Sequence, residues 1–235
     1  MLAVFREYSQ YLLLLLGLGL GVAIIWQRRD QLGQKHIWQA VVTGLFFTVC
    51  SFGAAILFAD FENLLVGASI EGMAVSTYGV YFFASLVIWI TITLLKLDVP
   101  AYMDAFSLYA IPSLFLMRCN CMLCGCCIGK YIPGMEVRWP TRESELIFFV
   151  VVFVVLLRLA RENKVPGQLF PVLMIAYGGF RFLNEWFRVG GVITLGLHLS
   201  HIWSILCMGI GGCIWFELKL RAAKKAAHEN RHRRK

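Results

Sequence analysis

Long apolar runs separated by short polar clusters dominate the chain. Runs near 9–27, 37–58, 73–96, 100–118, 145–161, 167–188 and 197–218 each approach the roughly 20 residues that a helix needs to cross a bilayer core. Backbone amides find no water there, so such runs must be helices. The pattern predicts an all-α polytopic membrane protein with seven transmembrane helices: a single membrane domain over 1–218 and a basic cytoplasmic tail over 219–235. The fourth run is the least regular, because Asp104 and Pro112 interrupt it. Connections are short, and no low-complexity linker or second domain is legible. The first run is not read as a cleavable signal: it is long, lacks a small-residue cleavage site and is followed at once by Arg28 and Arg29.

Composition agrees. Of 235 residues, 59% are hydrophobic, and mean hydropathy is +0.71, beyond the usual 45–50% apolar content of water-soluble domains. Much of the +8 net charge lies in the tail, at Lys219, Arg221, Lys224, Lys225, Arg231, Arg233, Arg234 and Lys235. Beside a membrane span such a cluster reads as a cytoplasmic, lipid-touching segment rather than a nucleic-acid arm. Connection one is basic (Arg28, Arg29, Lys35), as is connection five (Arg158, Arg161, Lys164); connection two is acidic (Asp60, Glu62, Glu71). Connection three, with Lys96 and Asp98, is uninformative. The alternation puts the amino terminus outside and the carboxyl terminus inside, and it requires an odd number of spans. The ends of the fourth and sixth runs, with Arg118 and with Glu185 and Arg188, then share the outer side.

One stretch breaks the apolar pattern chemically. At helical spacing Tyr177, Arg181, Asn184, Glu185 and Arg188 share one face, with Phe180, Phe182, Trp186 and Phe187 around them. A charge near a bilayer core costs about 3 kcal/mol on insertion scales, so such residues face a cavity or a partner. The competing reading is an interfacial belt in which Arg188 and Trp186 reach the headgroups. A second unusual segment, Arg118 to Lys130, holds Cys119, Cys121, Cys124, Cys126 and Cys127, with C-x-x-C spacing at 121/124 and 124/127. Three readings stand: a zinc or iron–sulfur site, for which a second ligand cluster of the right kind is absent; an outward-facing redox pair; or a small-residue turn at a helix contact. Cys50, Cys207 and Cys213 sit in apolar runs as small core residues.

Together these segments resemble the prolipoprotein diacylglyceryl transferases, membrane enzymes that lipidate bacterial prolipoproteins. Arg118 to Gly129 is similar to the family's R-I-G-N-F-I-N-G-E-x-x-G and closer to a divergent branch reading R-x-G-C-x-x-x-G-C-C-x-G. Arg118, Cys121, Gly125, Cys126, Cys127 and Gly129 fit that branch, with Asn120 in place of a glycine. Asp104 stands where the family has an aspartate leading into this helix. Pro140 to Glu145 resembles P-[ST]-Q-L-Y-E, with Glu145 retained but Arg142, Glu143 and Ser144 exchanged. Tyr177 to Arg188 resembles Y-G-x-x-R-F-x-x-E-x-x-R at each named position, and Leu199 to Trp203 looks like the following L-S-x-x-Q segment. The family's H-G-G segment appears as Thr77-Tyr78-Gly79, with Tyr78 at the histidine position. The resemblance covers roughly 70–215.

The resemblance implies a bacterial inner-membrane enzyme whose lipid donor is phosphatidylglycerol and whose acceptor is the lipobox cysteine of a prolipoprotein or another thiol. A thioether forms and glycerol phosphate leaves; no cofactor and no metal are expected. Arginine forks suit a phosphodiester, so Arg118, Arg181 and Arg188 are the expected clamp, with Arg181 on the leaving oxygen. Glu185 is expected to orient Arg181 at i+4 or Arg188 at i+3. Tyr78 is expected on the headgroup or incoming thiol, though its reference pKa near 10 makes it a poor base. Glu145 and Asp104 are expected as arginine partners, Tyr177, Cys121, Gly125, Cys126 and Gly129 as supporting residues, with Cys126 read as packing. His201 and His198 are the imidazoles near the outer end of the last span. Different acceptors, a membrane thiol oxidoreductase and a non-catalytic lipid-binding relative remain as alternatives.

Overall fold

The computed structural model describes residues 2–67, 75–162, 165–189 and 197–233. Their helices are α1 (Leu2–Gln27), α2 (Ile37–Leu65), α3 (Thr77–Leu94), α4 (Val99–Cys124), α5 (Thr141–Glu162), α6 (Leu169–Glu185) and α7 (Leu199–Arg233). Within α3, Val80–Ala84 form a π turn, and the Ser85 hydroxyl bonds back to the Tyr81 carbonyl inside it. Among the described residues, four helices are long and apolar enough to cross a membrane: Ile37–Leu65, Thr77–Leu94, Val99–Leu123 and Leu199–Ala227.

The polarity is inverted relative to a water-soluble protein. Leu15, Leu57, Leu86, Ile147, Val151 and Phe216 project outward, whereas Arg118, Glu145, Arg181, Asn184 and Glu185 lie buried. Apolar solvent outside and paired charge inside is the arrangement a bilayer demands.

Local signals explain most boundaries. At the start of α2, the Gln39 side-chain carbonyl accepts the N–H groups of Lys35 and His36. Helix α4 begins with Asp98 accepting from Ala101 N at 3.2 Å and with Pro100 in its first turn, and it ends at Gly125, whose φ of +70° suits a residue without Cβ. Pro112 does not break it; α4 runs through both expected interruptions. The other, Asp104, reaches across to cap α6: its Oδ2 accepts from Gly167 N at 2.8 Å and its Oδ1 from Leu169 N at 2.9 Å. Helix α7 continues beyond the expected span into the basic tail, where Arg221 pairs with Glu217 and Lys219 lies over the Trp215 ring. Of the residues used for orientation, Glu71, Lys164, Arg234 and Lys235 lie outside the described residues, as does the start of the third run.

Two contacts bring the site helices together. A Cβ on Gly79 would stand 2.2 Å from the Ala54 carbonyl oxygen, so α3 meets α2 at backbone distance beside Tyr78. Tyr177 is fully buried at the centre, 4.7 Å between ring centroids from Tyr81 and stacked on Phe149.

Candidate active site

Glu145 of α5 is the hub. Its side chain is 2% exposed; Oε1 stands 2.9 Å from Arg118 Nε and accepts the Tyr177 hydroxyl at 3.4 Å, while Oε2 accepts from Arg181 Nη1 at 3.3 Å. Glu185 is the second anchor. Its Oε2 lies 2.9 Å from Arg181 Nη2 and 3.6 Å from Arg188 Nη1, so one carboxylate holds both partners expected at i+4 and i+3. Its Oε1 lies 3.2 Å from His198 Nδ1. Arginines from α4, α6 and the turn after α6 are thus fixed by two carboxylates. Such pairing lets charge persist in a dry interior, because each desolvated ion keeps a partner.

The helical face stops short of its expected end. Helix α6 closes at Glu185; Phe187 and Arg188 are held by turn bonds to the Asn184 and Glu185 carbonyls. Arg188 then pairs as extended backbone with Gly129, flanked by Lys130 N to Phe187 O at 2.7 Å and Val189 N to Ile128 O at 3.1 Å. Arg188 therefore reaches the site from a loop stitched to the cysteine segment, not from the helix. Gly129 permits that stitch: a Cβ there would lie 2.1 Å from the Trp139 carbonyl oxygen.

The cysteine segment folds back over the end of α4. Gly125 and Cys127 both have left-handed backbone, with φ of +70° and +58°. For cysteine that conformation is unfavourable and persists only where surrounding contacts hold it. Cys126 N bonds to Cys121 O at 3.2 Å. Arg188 Nη2 donates to Cys127 Sγ at 2.9 Å and Arg118 Nη1 at 3.5 Å. The Cys121 thiol hydrogen bond, then the Arg188 and Arg118 guanidiniums, hold the Cys127 thiol well below its usual pKa, against the effect of burial. Cys124, common to both C-x-x-C spacings, has its side chain outside the described residues.

Arginines and cysteines line a cavity of about 360 Å³, together with Tyr78, Thr77, Glu62 and Ser200. It is large enough for a glycerophosphate headgroup and too small for a whole lipid. Tyr78 lies in its wall with its hydroxyl 3.0 Å from Ser200 O and 2.7 Å from Ser204 Oγ. Arg181 Nε and Arg188 Nε are buried with no hydrogen-bond partner among the described residues. A buried guanidinium donor left without a partner is unusual, and both belong to side chains that line the cavity.

Most of the residues singled out from sequence converge here: Arg118, Arg181, Arg188, Glu145, Glu185, Tyr177, Tyr78, Cys121 and Cys126, with Gly125 and Gly129 shaping the loop. Two do not. Asp104 accepts backbone N–H groups at the opposite end of α6, so its direct bonds are not to an arginine. His201 is fully buried between Phe182 and Trp186; its Nδ1 accepts from His198 N at 3.0 Å, which turns the ring to the start of α7 rather than to the cavity. Sequence reasoning passed over Thr77, whose hydroxyl accepts from Arg118 Nη2 at 3.3 Å, and Ser204. It weighed Cys127 only as a motif position and as half of a C-x-x-C spacing, and Glu62 only as an orientation charge. An acid closing a long apolar run was the available signal for Glu62.

The sequence model of the prolipoprotein diacylglyceryl transferases matches residues 4–217. The chain belongs to the prolipoprotein diacylglyceryl transferase family. It is similar to a phosphatidylglycerol–prolipoprotein diacylglyceryl transferase of Dehalococcoides mccartyi, 25% identical over 191 residues that cover 73% of this chain and 71% of that one. An enzyme of the same description from Clostridium tetani is 22% identical over 206 residues, 78% of this chain and 81% of its own. One from Polaromonas is 34% identical over 105 residues, 42% and 36% of the two chains. Buried arginines around a cavity of this size form a wall that can neutralise a phosphate group.

Proposed function

We propose that the chain is a phosphatidylglycerol-dependent transferase that moves the diacylglyceryl group to the cysteine thiol of a lipobox prolipoprotein. The acceptor sulfur attacks the glyceryl carbon that bears the phosphate. A C–S bond forms, the C–O bond breaks, and glycerol phosphate leaves with the electron pair. The carrying observation is the convergence of Arg118, Arg181 and Arg188 on one cavity, with Nε of Arg181 and Arg188 unpartnered. In this reading Arg181 stabilises the leaving oxygen, Arg188 and Arg118 complete the phosphate clamp, and Glu185 and Glu145 orient the guanidiniums. Tyr78 contacts the headgroup or the incoming thiol. A thiol already has a few per cent thiolate at neutral pH, so a strong general base is not required.

The topology that accompanies this reading has seven spans, the amino terminus outside and the basic end of α7 inside, in a bacterial inner membrane. The charge alternation of the connections supports it, and the outward apolar faces of α1 and α5 support counting those two helices as spans. The test uses vesicles of phosphatidylglycerol, purified protein and a lipobox peptide. Arg181→Ala is expected to insert and fold, yet to lower transfer by 10²–10³ or more. Wild-type transfer by that variant, or no transfer by the unaltered protein, overturns the proposal.

A further inference from the structure

The cysteine loop is not explained by donor binding. Cys121, Cys126 and Cys127 bring their sulfurs within 4.8 Å of one another, and all three line the cavity that holds the arginines. After the glycine that ends α4, the chain reaches this arrangement through Cys127 in the left-handed region, a backbone cost that a packing turn has no need to bear. A disulfide accounts for it poorly. Three sulfurs leave one over, and the adjacent Cys126 and Cys127 have Cα atoms about 3.8 Å apart, short of the roughly 4.4 Å a disulfide needs.

From this convergence we propose that Cys121, Cys126 and Cys127 bind a zinc ion, with its fourth position open to the cavity as the seat of the acceptor thiol. Zinc with three sulfur ligands at about 2.3 Å places those sulfurs about 3.8 Å apart, so the loop needs to close by about 1 Å at most. Three protein ligands and one open position are the mark of a reactive zinc site rather than a structural one. The surroundings fit the charge. Zinc with three thiolates carries one net negative charge, and the guanidiniums of Arg118 and Arg188 stand beside those sulfurs. Arg188 and Arg118 already donate N–H to Cys127 Sγ at 2.9 and 3.5 Å, and Arg118 to Cys121 Sγ at 3.9 Å. Donors of this kind to ligating sulfur orient it and temper its charge.

The acceptor role rests on the transferase reading. An acceptor thiol that loses its proton to solvent binds zinc as thiolate, and a coordinated thiol is deprotonated outright. Its sulfur pair then attacks the glyceryl carbon while the phosphate departs with the C–O pair. The thioether product is neutral, and leaves the zinc more readily than the thiolate. Such a site would give acceptor activation to a chain that carries Tyr78 where the family pattern it resembles has histidine.

The experiment takes the full chain, reduced and purified in detergent. Titration with cobalt(II) is expected to saturate at one equivalent, with thiolate-to-metal charge-transfer absorption, and zinc is expected to displace it. Cys126→Ser, at an exposed position, is expected to weaken zinc at least tenfold to a hundredfold with an unchanged melting midpoint, whereas Cys50→Ser, in the α2 apolar run, leaves the affinity alone. A cysteine peptide is expected to shift the cobalt spectrum and its serine twin is not. Absence of stoichiometric binding, a disulfide among the three cysteines in the active protein, or copper retained to the exclusion of zinc overturns the site. Binding with no spectral response to the cysteine peptide overturns the acceptor role. Donor chemistry is read separately by the Arg181→Ala assay, so failure of the zinc site and failure of the transferase reading are distinguishable.

Discussion

Glu145→Gln is the sharpest test of the charge network. The substitution keeps the shape of the side chain and removes its charge. A carboxylate serves Arg118 Nε at 2.9 Å, Arg181 Nη1 at 3.3 Å and the Tyr177 hydroxyl at 3.4 Å; an amide offers one acceptor oxygen and turns a donor towards one of the guanidiniums. The three charged side chains are 6%, 5% and 2% exposed, so solvent screening that devalues surface pairs does not apply. Breaking a buried pair from one side costs about 3–5 kcal/mol. Arg181 keeps Glu185 at 2.9 Å, which argues for the lower end, about 3 kcal/mol. For a chain of this size that corresponds to roughly 6–12 °C in the unfolding midpoint. The assay is thermal unfolding in detergent at one scan rate, run as a cycle with Arg118→Gln. The double variant loses the uncompensated guanidinium of Arg118, so it is expected to recover about 2 kcal/mol relative to additivity. Transfer is expected to stay low in both variants, because the arginine wall is displaced in one and depleted in the other. A midpoint within about 2 °C of the unaltered protein, or a coupling below about 0.5 kcal/mol, would refute the hub.

Two further substitutions separate site from scaffold. Asp104→Ala removes the acceptor for Gly167 N and Leu169 N and is expected to cost about 1–3 kcal/mol of stability. It acts roughly 18 Å along α6 from Arg181, so kcat in the vesicle assay at a permissive temperature is expected to be unchanged; a large kcat loss would place Asp104 in the chemistry after all. Tyr78→Phe keeps the ring packing and deletes the hydroxyl that meets Ser200 O and Ser204 Oγ. A loss of about tenfold or less in kcat/KM fits a hydrogen-bonding role, whereas near-complete loss would make Tyr78 the proton acceptor.

What was legible in the sequence follows from how locally each feature is encoded. Apolar run length gives the helices, because a bilayer leaves the backbone no other choice. Arg181 and Glu185 stand out by the cost of charge in such a run, and i+4 spacing alone pairs them. Glu145 lies 36 residues from Arg181 and 27 from Arg118, a distance no periodicity bridges; it entered only through resemblance. Arg188 was expected on the helix because its spacing fits the stripe. Pairing of 128–130 with 187–189 takes that residue off α6, and this is a long-range backbone event with no signature at Arg188 itself. Pro112 and Asp104 looked like interruptions, yet α4 absorbs both, since neighbouring helices and the backbone N–H groups of α6 supply what an isolated helix would lack.

The same logic bears on how donor and acceptor chemistry divide. The arginine–carboxylate network is built from α4, α5, α6 and the loop after α6, by residues that fit the family pattern quoted above at Arg118, Glu145, Arg181, Glu185 and Arg188. Tyr78, Cys121 and Cys126, which line the same cavity, depart from the quoted family pattern: a tyrosine and two thiols stand where that pattern has a histidine, an asparagine and a glutamate. Those exchanges are not independent of the arginines: the cysteine loop is stitched to Arg188, and Cys127 Sγ accepts from both Arg118 and Arg188, so the thiols and the guanidiniums stand in direct contact. On the proposed reading, a cavity that keeps the arginines and carboxylates of the family pattern while carrying thiols and a tyrosine beside them is expected to keep its lipid donor and to differ in how it presents the acceptor thiol, so donor binding and acceptor transfer should be separable by mutation.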